Sequence, residues 1–165
     1  MVGIPLNEDL YLDGPLTPGR IAKHDPATLL RGLVAEEAIP FGYGVMDGTD
    51  LDLQAKIISG ATAKFKGVAA YNPYASGIDE DIPAYATNDP LDLVSRGYVV
   101  VPTLSAVDKS DVVRVFHTGA NKGIFTADAS ANNTMVITGA EWDGTFASGF
   151  ATLKLNGSFA ITADT

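Results

Sequence analysis

From residue 41 onward the chain holds no sustained apolar spacing of i, i+3, i+4, but places short β-branched apolar runs between Gly, Asn and Asp turns. This pattern constrains the fold more than any other feature. An amphipathic helix needs an apolar stripe kept up at a period of about 3.6 residues, whereas a strand needs only roughly four to eight residues between turn signals. Such runs occur at 41–46, 54–59, 65–71, 91–94, 98–101, 112–116, 124–125, 134–137 and 152–156. The segment Asp47-Gly48-Thr49-Asp50 is a turn by composition, and the 17 glycines suit a turn-rich chain. The expected fold is all-β, a compact β-sandwich or small β-barrel of β-tulip-like form. Alternation at a period of two is common to sandwich and barrel, so it does not choose between them.

The first forty residues read differently. Pro5, Pro15, Pro18, Pro26 and Pro40 are five of the nine prolines. Each fixes its own φ and biases the residue before it toward extended geometry. The spacing predicts an extended, Pro-rich N-terminal arm over 1–40 and a β domain over 41–165. Within the arm, Leu10-Tyr11-Leu12 forms a small apolar group between acidic residues. Residues 27–38 allow either a helix or an extended segment, since Gly32 in a helix interior costs about 1 kcal/mol relative to Ala. The longest turn-like stretch, 72–88, holds Pro73, Gly77, Pro83 and the acidic triplet Asp79-Glu80-Asp81. Loops of this length tend to be functional or mobile.

Composition narrows the function classes. A chain of 165 residues fits one domain, or a small domain with an arm, and 46% hydrophobic content allows a real core. The absence of cysteine excludes disulfides, thiolate catalysis and Cys-based zinc sites. A formal net charge of −9 argues against a nucleic-acid partner, which needs clustered Lys and Arg, and against a polybasic membrane contact. No apolar run is long enough to span a bilayer, and the start lacks the basic and apolar regions of a signal peptide.

Catalytic patterns are sparse. A nucleophilic Ser or Thr needs a positioned base, and the two histidines are His24 in the arm and His117 at a strand end. Gly42-Tyr43-Gly44-Val45-Met46-Asp47-Gly48 is one residue off a dinucleotide fingerprint, but no helix is expected after it to hold a phosphate. The acids Asp47, Asp50 and Asp52, and the triplet 79–81, do not follow the calcium-loop pattern. No catalytic, cofactor-binding or metal-binding residue is therefore expected, and no cofactor. An alternative reading is a carbohydrate- or host-surface-binding β module displayed on a virion, with Tyr71, Tyr74 and Tyr85 as its platform.

Several segments, in order, resemble a known family. Ala38-Ile39-Pro40-Phe41-Gly42-Tyr43-Gly44-Val45 is similar to the opening of the β domain in tailed-phage structural cement proteins of the Gp24-like type. Phe65-Lys66-Gly67-Val68-Ala69 follows, then Asp92-Leu93-Val94-Ser95-Arg96-Gly97-Tyr98-Val99-Val100-Val101, similar to that family's strand pair around an Arg-x-Gly. Gly123-Ile124-Phe125-Thr126, Ala140-Glu141-Trp142 and 151–157 resemble its C-terminal part. The resemblance covers most of 38–157. It implies a non-enzymatic capsid cement or head decoration protein on the outside of a phage head, stabilising contacts between capsomers. The implied partners are the major capsid protein and further copies of the chain, as a homotrimer. On this reading Leu10, Tyr11 and Leu12 dock on neighbouring capsid protein, and Ile39, Phe41 and Tyr43 orient the arm or serve their own core.

Overall fold

The computed structural model describes residues 17–22 and 26–164. Among the described residues there is no helix. The strands are β1 (Thr28–Ala35), β2 (Ile39–Pro40), β3 (Gly44–Asp47), β4 (Gln54–Ile57), β5 (Phe65–Ala69), β6 (Ala84–Tyr85), β7 (Pro90–Thr103), β8 (Arg114–Phe116), β9 (Phe125–Thr126), β10 (Thr134–Trp142) and β11 (Gly149–Ala163).

Pairing closes the sheet into a small barrel. β1 runs parallel to β4; β4 pairs with β3, β3 with β5 and β5 with β7, all antiparallel; and β7 returns antiparallel to β1. Closure leaves these strands without an open edge for unwanted pairing. β2 and β6 pair as a separate two-stranded sheet, and the other four strands make a second ring on the same β7. It runs β7-β11-β10-β8-β9 and shuts through one parallel pair, Thr103 with Phe125. The two rings have separate cores. Leu33, Ala35, Val45, Ala55, Ile57, Ala69, Leu91 and Leu93 fill the first, with Ile39, Phe41, Ala75 and Tyr85 closing it. Val99, Val101, Val115, Phe125, Met135, Ile137, Trp142, Leu153 and Leu155 fill the second. Each fully buried Val, Leu, Ile, Phe or Met side chain among them contributes about 1.5–3 kcal/mol.

The all-β expectation holds, and the form is a barrel with additional strands. Two details differ from the sequence reading. The runs at 91–94 and 98–101 belong to one strand, β7, which passes through Gly97. Gly97 has φ +112, and a Cβ there would lie 3.0 Å from Ala27 Cα, so glycine keeps the strand continuous where another backbone approaches. The boundary expected at residue 40 also cuts through the sheet, because β1 and β2 lie on its N-terminal side. The ambiguous 27–38 segment is mostly strand. Leu33 and Ala35, two apart, both face the barrel core. Gly32 sits at an irregularity in the β1–β7 register, where it interrupts no helix. Pro26 and Pro40 bracket this region; they do not mark it as a linker.

Residues 17–22 continue along β7 beyond its pairing with β1. Gly19 N–H donates to Val100 O at 2.8 Å, Val100 N–H to Arg20 O at 2.9 Å and Ala22 N–H to Tyr98 O at 2.9 Å. The other side is tied by Tyr71 N–H donating to Gly19 O at 2.9 Å. The described start of the chain thus lies between β7 and the end of β5.

An apolar groove where the N-terminal segment meets the barrel

Phe41 leaves β2, Tyr43 enters β3 and Tyr71 follows β5, so three aromatic residues converge at one end of the barrel. Phe41 meets Tyr71 edge-on at 5.3 Å between ring centroids and Tyr85 at 5.2 Å. Tyr85 is fully buried, and its hydroxyl donates to Ala70 O at 2.8 Å. Burial pushes its pKa up to about 12, so it stays a neutral donor. Burial raises the pKa of Tyr43 as well. The Arg20 guanidinium lies over Tyr71, 5.2 Å from the ring centroid, within cation–π range.

Phe41, Tyr43 and Tyr71 line an apolar groove of about 390 Å³. Ile82 and Pro83 wall it on one side and Pro102 and Phe150 on another, with Thr17 and Pro18 where the described chain begins. Ile82 and Phe150 are 62% and 42% exposed, large for apolar side chains beside a formed groove. Asp81 is the one acidic residue of the lining.

The residues singled out from sequence fall into three groups. Leu10, Tyr11 and Leu12 lie outside the described residues, as does His24. Ile39 is fully buried in the barrel core. Phe41 is buried in the same core and forms part of the groove floor, and Tyr43 is half-buried in the groove wall. Sequence reasoning missed Ile82, Pro102 and Phe150. A lone Ile between Asp81 and Pro83 in an acidic loop was the available signal.

Of the three tyrosines of the glycan-platform reading, only Tyr74 is exposed. Tyr74 is 92% exposed, Tyr71 packs against Phe41, and Tyr85 is core. The 72–88 stretch is anchored at several points. β6 pairs with β2, and the Asp89 carboxylate accepts from Ser76 N–H at 2.8 Å, Ser76 Oγ at 2.6 Å and Ala86 N–H at 2.9 Å. Two of the acids at 47–52 have structural partners. Asp50 Oδ1 accepts from the N–H groups of Asp52 and Leu53, and Asp47 pairs with Lys66. Gly42 N–H donates to Ala69 O at 2.8 Å, so the glycine-rich run is a barrel connection. His117 is buried, its backbone N–H bonded to Asn133 O.

The fold and groove define a class: a closed all-β scaffold with an apolar recess beside the point where its N-terminal segment joins it. Residues 11–156 match the family described as structural cement protein (E217 gp24/Pam3 gp6), and the chain belongs to this phage capsid cement family, a virion structural family. A chain of the capsid of Myoviridae phage XM1 has the same fold. Its TM-score is 0.73 at 17% identity, over 86% of this chain and 90% of that one. No curated protein matches the chain.

Proposed function

We propose that the barrel seats on the major capsid protein at the outer surface of a phage head, as a homotrimer that bridges neighbouring capsomers. Residues 1–16 reach across the junction, and Leu10, Tyr11 and Leu12 insert into an apolar site on adjacent capsid protein. The observation that carries this reading is the family match over 11–156, which spans the barrel and reaches into Tyr11 and Leu12. Two features support it. A closed barrel keeps a fixed shape under load, and the backbone bonds of 17–22 anchor the segment that precedes them. Many identical weak contacts on a lattice then add as avidity. Self-association at capsomer junctions requires head-to-tail contacts that close into a ring.

The test is stoichiometry and truncation. Purified heads are expected to hold the protein in near-constant ratio to the major capsid protein, and to soften when it is stripped by mild chaotrope. Removing residues 1–16 leaves the anchoring segment intact and is expected to weaken shell binding at least tenfold, or roughly 1.4 kcal/mol. Full binding by the truncated protein would end the arm role and leave the barrel as the sole contact.

A further inference from the structure

We propose that in the free protein the groove is filled by this chain's own Leu10-Tyr11-Leu12. Apart from Thr17 and Asp81 the groove lining is apolar or aromatic, and Ile82 and Phe150 stand exposed along it. Apolar side chains left in water here would gain from an apolar occupant. The chain itself supplies one from the nearest possible place. Thr17 and Pro18 are part of the groove wall, and Gly19 is held on both sides by backbone bonds, so the preceding residues leave directly from the recess. In the sequence 1–16, Leu10-Tyr11-Leu12 is the one run of three consecutive large apolar residues. Thr17 is six residue steps from Tyr11, a reach of up to about 20 Å when extended. The intervening Asp13-Gly14-Pro15 is turn-forming, which suits a chain that doubles back.

Tethering selects this occupant over a second copy. A short linker holds its own segment at an effective concentration near the millimolar range, whereas another molecule must be met by diffusion. Docking would cover two apolar surfaces at once, the groove and the triplet, until a shell offers the triplet another site.

The absence of cysteine makes a direct test possible. Tyr11→Cys is combined with Ile82→Cys, which lies at an exposed position outside the core. The control pair is Tyr11→Cys with Leu51→Cys, at a turn 67% exposed and not part of the groove. Both are oxidised with oxidised glutathione in the absence of shells, and followed by non-reducing gel and intact mass. The expected result is a monomeric, internally cross-linked product that forms about tenfold faster than in the control pair. Adding Leu10→Ser and Leu12→Ser is expected to bring the rate down to the control. Covalent dimers would assign the groove to a second copy and overturn the proposal. Equal rates for the two pairs, or a rate unmoved by the serine changes, would overturn it too. Because no shell is present, the outcome is separate from whether the protein binds capsids.

Discussion

Gly19 and Gly32 both have positive φ, +78 and +88, yet their surroundings differ. A Cβ on Gly32 meets nothing within 4 Å, while one on Gly19 would lie 2.6 Å from Tyr71 N and 2.7 Å from Ala69 O. Gly32→Ala therefore costs only its dihedral penalty, about 1–2 kcal/mol. Gly19→Val adds a backbone clash that no side-chain rotation relieves. It is expected to undock 17–22 and to destabilise by more than about 2 kcal/mol. Native-state hydrogen exchange is the readout: the N–H groups of Tyr71 and Val100, which donate to Gly19 and Arg20, should lose protection while β10 keeps it. Asp89 makes a different residue-scale prediction. Burial pushes its pKa up, but hydrogen bonds from the Ser76 hydroxyl and the Ala86 and Ser76 N–H groups outweigh that and hold it below 3.8. A carboxylate with a depressed folded pKa stabilises above its unfolded value and loses that contribution as pH falls through the folded one. Asp89→Asn should lower stability at pH 7 by about 1–3 kcal/mol, with the gap to wild type narrowing in denaturant titrations taken below pH 4. A gap that stays constant with pH would show that the charge is irrelevant. Neither feature was legible in the sequence. Gly19 looked like one more turn glycine, and Asp89 like one acid among twenty, because partners distant along the chain decide both.

At the scale of elements, β7 decides cooperativity. It supplies Leu91 and Leu93 to one core and Val94, Val99 and Val101 to the other. Neither ring closes without it, so the two are expected to unfold together. Trp142, the single tryptophan, reports on the second ring. Its fluorescence and the far-ultraviolet circular dichroism should trace one transition in denaturant. Leu93→Ala, made in the first ring, should shift both probes equally by about 2–5 kcal/mol. Separate midpoints would mean that the rings are independent units. The apolar run 98–101 announced this strand, and the period-two alternation made the all-β class readable. Continuity through Gly97 was not readable, since glycine in a strand pattern marks a bulge, a break or a close approach with equal force. The prolines misled at β1 for a related reason. Pro26 and Pro40 restrict their own neighbourhoods, but the strand between them is set by Leu33 and Ala35 meeting the barrel core, a long-range fact. The groove was the least legible element, because its lining comes from six separate stretches of chain.

For the whole molecule, the order of short motifs from 38 to 157 carried more information than any one of them. The family match over 11–156 and the XM1 capsid fold agree with that reading. The truncation and cross-linking experiments then test separately the two placements proposed for residues 1–16, on their own barrel and on a shell. The way residues 17–22 are attached bears on the second placement. Gly19, Arg20 and Ala22 bond side by side along Tyr98 and Val100, so a pull on residue 17 directed along β7 strains those bonds together. A pull at right angles would open them in turn, like a zip. An arm drawn taut across a swelling shell in line with β7 would thus be held in shear, and the joint would be strongest in that one direction.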